Sequence, residues 1–293
     1  MIAFNINGRL GNQMFQLAAA YTLAIKHKTK VLPNETTGQY YVSDIFINTS
    51  IYPWHWKLMH LIGKLLDKRS YRYFTKWIMP LYYNKFKLIK FQPRDYMSIS
   101  HEFHNLPNNT NLDGYFQSEF YFNTIKNTIH HLFRFKEIHL IKWERYIKQY
   151  EPYQNLIAMH VRLGDYKQLA NLQLGCDDLT LPSEYYTTIL KKENLENSLI
   201  IVMSDEPETV TDWFKDFKQV KISKESQEID LLTLTKANVC ILSHSTFSWW
   251  GAWLNNEKKQ KIYIPKYFLG FKIEKEIPEF IIPKEWIQAE VPK

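Results

Sequence analysis

The sequence predicts an α/β protein of two domains, the second of them Rossmann-like, and three observations carry that reading. A chain of 293 residues is longer than one ordinary core absorbs. Its first 26 residues read as strand, glycine turn and helix. After Glu151-Pro152, short continuous apolar runs alternate with helical patterns, as a parallel sheet covered on both faces requires. The expected domains are therefore residues 1–152 and 153–293, the second ending in a C-terminal tail.

Ile2 to Ile6 forms a strand pattern and leads through Asn7-Gly8-Arg9-Leu10-Gly11 into a helix from Asn12 to about Lys26, where Met14, Leu17, Ala18, Tyr21 and Ile25 recur at helical spacing. Thr29 to Leu32 reads as the next strand. From Tyr40 to Leu106 the pattern is irregular and aromatic and gives no topology. Leu112 to Phe116 reads as a short strand, and helical patterns follow to about Tyr150. In the second half, strands are expected at 156–161, 199–203, 220–222, 239–242 and 262–264, with helices at about 183–192, 208–217, 227–236 and 247–255.

Composition narrows the class. Hydrophobic residues at 45% and charged residues at 23% supply a packed interior and exclude disorder. Aromatic residues reach 16%, which suits a core and equally a sugar or nucleotide site. Cys176 and Cys240 are too few for a disulfide framework and too far apart for a metal-ligand pair, which fits a reducing compartment. Met1-Ile2-Ala3-Phe4 enters a strand pattern at once, without the layout of a signal peptide, and no apolar run is long enough to span a bilayer. The expected location is cytoplasmic, with room for peripheral contact on the inner membrane face.

Lys plus Arg exceed Asp plus Glu by 37 − 30 = 7, so acidic partners are favoured. The excess is concentrated between Trp54 and Lys90, where basic residues alternate with Trp, Tyr, Phe, Leu and Ile. That stretch reads as a basic amphipathic surface for anionic lipid, as a nucleic-acid face, or as a solvated face over a local core.

Chemistry is expected beyond the carboxyl ends of parallel strands. The strand at 156–161 runs into His160-Val161-Arg162-Leu163-Gly164-Asp165-Tyr166. Alternation puts His160 and Arg162 on one side, and the planar fork of Arg162 suits a pair of diphosphate oxygens. Asp165 could accept a proton or close the turn as a structural partner of Arg162. Asp205, at the end of the strand at 199–203, is a ligand-contact residue or a helix cap. Ser243-His244-Ser245-Thr246-Phe247-Ser248 leads into a helix whose positive end can take phosphate. Trp249, Trp250 and Trp253 read as core.

Taken together, Gly8-Arg9-Leu10-Gly11-Asn12-Gln13-Met14-Phe15-Gln16, Gly114-Tyr115-Phe116-Gln117-Ser118, His160-Val161-Arg162-Leu163-Gly164-Asp165-Tyr166, Ser204-Asp205 and Ser245-Thr246-Phe247-Ser248-Trp249-Trp250-Gly251-Ala252 occur in the order found in bacterial α-1,2-fucosyltransferases of glycosyltransferase family 11. The sequence closely resembles that family from Ile2 to about Ile264. One departure stands out. The family motif is usually His-x-Arg-Arg-x-Asp, and this chain has Leu163 at the second arginine.

The resemblance implies a GT-B-like fold of two Rossmann-like domains facing a cleft. It implies inverting transfer of L-fucose from GDP-β-L-fucose to the 2-hydroxyl of a terminal β-galactoside, in surface polysaccharide or O-antigen synthesis. The implied partners are GDP-fucose and a galactose-terminated oligosaccharide or glycolipid, with no nucleic acid. No cofactor and no metal are implied, in keeping with the absence of an Asp-x-Asp triplet. Arg162 and Asp165 are the expected catalytic residues. His160, Asp205, Ser245, Thr246, Phe247 and Ser248 are expected on the donor, and Asn12, Gln13 and Glu119 on the acceptor side. The alternatives are a basic aromatic nucleic-acid-binding protein and an inactive sugar-nucleotide binder.

Overall fold

The computed structural model describes residues 1–47, 50–255 and 260–292, the side chains of Lys68 and Asn171 excepted. The chain forms two compact units, Met1–Phe135 and Lys136–Lys293.

The first unit is built on a four-stranded parallel sheet. Its strands are β1 (Ile2–Asn5), β2 (Val31–Asn34), β3 (Ile89–Phe91) and β4 (Thr110–Leu112), in the order β2-β1-β4-β3. Between β1 and β2 runs α1 (Leu10–Lys26), buried along most of its circumference, with Ala18, Ala19 and Ala20 letting it lie close to its neighbours. Four short helices follow β2: α2 (Val42–Ile45), α3 (Trp54–Leu65), α4 (Lys68–Tyr73) and α5 (Met79–Asn84), the last two joined by a π-helical turn at Phe74–Ile78. Asp67 starts the second run by accepting hydrogen bonds from the amides of Arg69 and Ser70, at 2.9 and 3.0 Å. After β4 the chain forms α6 (Lys126–Leu132).

The inner face of α3 is fixed by a polar relay. His60 Nδ1 lies 2.8 Å from Glu35 Oε1 and its Nε2 lies 3.0 Å from Ser43 Oγ, while its ring stacks on Trp56 at 4.7 Å. Gly63 leaves α3 in contact with Tyr71 and Phe74, since a Cβ there would sit 3.3 Å from the Tyr71 ring.

The second unit begins with α7 (Glu137–Lys148), which carries the compact boundary ahead of the expected residue 152 because Trp143 Nε1 donates to Thr233 Oγ1 at 3.1 Å. The other elements are β5 (Asn155–Val161), α8 (Ser183–Leu190), β6 (Ser198–Ser204), α9 (Pro207–Trp213), β7 (Val220–Ile222), α10 (Gln227–Lys236), β8 (Val239–Ile241), α11 (Thr246–Trp253), β9 (Lys261–Pro265) and β10 (Ile287–Ala289). All six strands are parallel, in the order β10-β9-β8-β5-β6-β7. Counted from β5, this is the 3-2-1-4-5-6 order of a doubly wound nucleotide-binding sheet, with its switch point between β5 and β8. The segment expected as a tail supplies the edge strand β10.

The tryptophans of α11 are core: Trp249 and Trp250 are fully buried, and Trp249 Nε1 donates to the Ile281 carbonyl at 2.7 Å. Gly251 sits where α11 meets α10, and a Cβ there would lie 2.5 Å from Leu234 Cβ and 2.7 Å from Leu234 Cδ1. A main-chain-attached atom cannot rotate away. Gly251→Ala is therefore expected to cost about 1–3 kcal/mol, read as a lower melting temperature with an unchanged far-UV spectrum. A melting temperature equal to the wild type would show that the two helices can separate without loss.

Candidate functional site

Residues 160 to 166 leave β5 at its carboxyl end, and residues 243 to 247 leave β8 beside it. Two contacts tie these turns together. His160 Nδ1 lies 2.9 Å from Ser243 Oγ, and Tyr166 Oη donates to the His244 carbonyl at 3.1 Å. The Tyr166 and His244 rings are nearly parallel, 5° apart, with centroids at 4.7 Å, and Phe271 stacks on His244 at 5.8 Å. His244, whose role the sequence leaves open, is thus an aromatic plate of the interior.

Arg162 is held on both sides. Its Nη1 lies 3.1 Å from Asp205 Oδ2 and its Nη2 2.5 Å from Asp165 Oδ1. The guanidinium also lies over the Tyr166 ring at 5.7 Å. The two carboxylates differ in setting: the Asp165 side chain is 56% exposed, that of Asp205 22%. Asp205 has a second task, because its Oδ1 accepts the Leu163 amide at 3.0 Å. Gly164 makes this fit possible, since a Cβ there would lie 2.4 Å from Asp205 Oδ2.

Leu163 points the other way. It is buried among Val161, Leu181, Tyr185 and Val202, so the departure from the family motif fills the core and leaves Arg162 as the cation of this turn. At α11, Ser245 is the cap residue and its Oγ accepts the Phe247 amide at 3.3 Å. Phe247 packs on His160 with ring centroids at 5.5 Å. Ser248 is fully buried and turns its hydroxyl to the Ser245 carbonyl at 3.1 Å. The structure thus gathers His160, Arg162, Asp165, Asp205, Ser245 and Phe247 at one sheet end, with Thr246 opening the helix.

In the first unit, Gln13 is fully buried and spent on loops: it accepts the Tyr41 amide at 2.9 Å and donates to the Gln39 carbonyl at 2.8 Å. Asn12 Oδ1 accepts from Gln117 at 2.9 Å, and Glu119 pairs with Lys126 at 2.9 Å. Sequence reasoning passed over a polar ladder at the carboxyl edge of this sheet. Asn5 Oδ1 accepts from Asn34 at 2.8 Å and from Asn111 at 3.1 Å, and Asp113 pairs with Lys90 at 2.8 Å. The signal was available as asparagine at the ends of neighbouring strands.

The family model described as glycosyl transferase family 11 matches residues 73–290. The chain is 24% identical to the alpha-1,2-colitosyltransferase of Escherichia coli, over 99% of both chains. It is 25% identical to the O-antigen biosynthesis glycosyltransferase WbnK of Escherichia coli, over 90% of this chain and 94% of that one. Among solved structures it is similar to POFUT1 in complex with GDP, with a TM-score of 0.53 and 13% identity over 90% of this chain and 97% of that one. It is likewise similar to a variant of Arabidopsis thaliana FUT1 in complex with GDP, with a TM-score of 0.52 and 15% identity over 90% of this chain and 70% of that one. These likenesses bear out the α/β, GT-B-like fold of fucosyltransferases.

Both histidines of the site stay uncharged. Burial, with Arg162 and His244 adding to it, holds His160 down at about 3, and burial holds His244 at about 4 although the Leu179 carbonyl accepts from its Nε2 at 2.5 Å. Between these values and the ordinary 6.5 the unfolded chain binds the extra protons, so this stability is complete above about pH 6.5 and is lost on acidification. Asp230 acts in the opposite sense: burial raises its carboxyl to about 7, so its share is present at low pH and lost as pH rises towards 7. His244→Phe keeps a ring in the stack and removes one acid-sensitive group. Its melting temperature is expected to fall less than that of the wild type between about pH 7 and about pH 5. Equal falls would take His244 out of the acid response.

Proposed function

The chain belongs to glycosyl transferase family 11, and from that premise we propose that it transfers L-fucose from GDP-β-L-fucose to the 2-hydroxyl of a terminal β-galactoside, with inversion, in O-antigen or related surface polysaccharide synthesis. The observation that carries the reading is Arg162, a pre-set cation at the switch point of the nucleotide-type sheet, next to the start of α11.

In this reaction the bond from the sugar C1 to the β-phosphate oxygen breaks, and GDP leaves with the electron pair. The acceptor oxygen forms the new bond on the opposite face of C1 and gives up its proton. Negative charge grows on the β-phosphate, so fixed positive groups there accelerate departure. We assign that work to Arg162, with the first-turn amides and hydroxyls of Ser245 and Thr246 at α11. Asp205 engages Arg162 and the Leu163 amide with its two oxygens, so we give it the positioning of Arg162 rather than a direct donor contact. Neutral His160 lines the donor site beside Phe247 without adding charge. Asp165, exposed and bound to Arg162 through one oxygen, is the proposed base. Asn12 and Glu119 stay on the acceptor side, while Gln13 and Ser248 hold the local fold. In this reading Arg162 and the start of α11 serve the diphosphate, and no divalent ion is required.

GDP-fucose is the ligand named for another POFUT1 structure to which this chain is similar, as colitose is the sugar named for one relative, so a colitosyl donor is the second reading. Transfer assays with each donor on a panel of β-galactosides, followed by linkage analysis of the product, separate the two. An α-1,2-linked fucosyl product that forms equally in EDTA is the expected result. Another linkage, or loss in EDTA restored by manganese, would overturn it.

Arg162→Ala is expected to lower kcat by a factor on the order of 10²–10³ with the fold intact. Asp165→Asn should retain GDP affinity and melting temperature while kcat falls by a factor on the order of 10²–10⁴. A joint loss of GDP affinity and stability would instead make Asp165 a structural partner of Arg162.

A further inference from the structure

The helix α3 is apolar on the side that faces away from the core. Its inner face carries Trp56, His60 and Gly63, two of them buried and the third in the relay with Glu35 and Ser43. Opposite them Trp54, Leu58, Leu61 and Leu65 recur at intervals of four, three and four residues, which is one stripe on a helix. These side chains are 75%, 49%, 55% and 79% exposed. A helix apolar on both faces is normally buried on both. Here the outer face is about half exposed or more, and in the next helical run Trp77 and Leu81 are likewise exposed, at 60% and 65%.

We propose that this face lies on an anionic lipid bilayer, with the stripe inserted at the level of the headgroups. Charge complementarity selects the occupant. From Trp54 to Lys90 the sequence holds Lys57, Lys64, Lys68, Arg69, Arg72, Lys76, Lys85, Lys87 and Lys90 against the single acid Asp67, which is engaged as a helix cap; Asp44 and Asp113, from outside the stretch, pair with Lys64 and Lys90, and the balance stays strongly positive. Lys57 and Lys64 border the stripe along one side, Lys64 paired with Asp44 and Lys57 exposed, which suits an interfacial helix with a basic edge at phosphate level. A second copy of the chain would bring the same positive surface against itself. A nucleic acid offers phosphates to the lysines and nothing to Leu58, Leu61 and Leu65. No helix among the described residues is long and apolar enough to cross a membrane, so the contact is a surface one.

The test is co-sedimentation of the full chain with vesicles of phosphatidylcholine alone and of phosphatidylcholine with phosphatidylglycerol. The wild type is expected to bind the anionic vesicles, to bind them less as salt rises, and to ignore the neutral ones. The variant Leu58→Ser/Leu61→Ser/Leu65→Ser should lose binding, and Lys57→Glu/Lys76→Glu should weaken it at least about tenfold, at about 1 kcal/mol per basic residue. All five positions are exposed, so melting temperature and GDP binding should stay at wild-type values. Absence of binding to anionic vesicles at low salt overturns the proposal. So do equal binding by both variants and a dimer that the leucine variant dissociates, the last of which would assign the face to a second copy.

Discussion

Asp205 is the contact on which the site depends. An arginine at a strand end has four rotatable bonds and, unaided, spends its time in water. One carboxylate removes that freedom by taking Nη1 of Arg162 and, with its other oxygen, the amide of the next residue, Leu163. The second bond matters because a backbone amide cannot move independently of the sheet. It anchors the carboxylate to β5, and the carboxylate then anchors the side chain. Gly164 completes the arrangement, since any Cβ there would enter the space of Asp205 Oδ2. Asp165 makes the shorter contact, at 2.5 Å, but is the more exposed partner and has no backbone anchor to the sheet like that of Asp205.

The same constraint explains why two imidazoles can stand beside Arg162 without disturbing it. His160 and His244 are buried, so a proton on either would be a charge without water, and on His160 it would also lie within the field of the guanidinium. Their neutrality keeps the positive charge of this sheet end on Arg162. His244 is packed between Tyr166 and Phe271, which turns the β5 and β8 ends into one stacked layer. The switch point of the sheet is thus closed beneath by aromatic rings and lined above by Arg162 and the start of α11.

Much of this was legible in the sequence, and the rest failed for identifiable reasons. Strands β5, β6, β8 and β9 are buried on both faces and write themselves as continuous apolar runs. The edge strands β3 and β10 carry exposed residues, Ile89-Lys90-Phe91 and Ile287-Gln288-Ala289, and have no period to read. Leu163 looked like a missing cation, yet alternation along β5 already placed it with Val161, on the side opposite His160 and Arg162. Gln13 looked like an acceptor group because it is a polar residue in a motif. A buried amide with two donors and an acceptor can equally bind loops together, and nothing short of coordinates tells the two apart.

The region from Tyr40 to Leu106 gave no topology for a different reason. Sequence patterns assume that an apolar face meets the core, and α3 has two apolar faces. Periodicity then reports a helix without saying which side is inside. The polar relay resolves the ambiguity, since His60 joins Ser43 and Glu35 through its two ring nitrogens and stacks on Trp56, which sets this side inward. The outward leucines then need a second apolar medium. If, as proposed, a bilayer surface supplies it, there is a functional gain: where the acceptor is a glycolipid, a transferase confined to the same surface meets it at a far higher effective concentration than in solution, while the donor arrives by diffusion. Affinity for acceptor can then reside partly in α3, and the sugar pocket need recognise only the few groups around the hydroxyl that reacts.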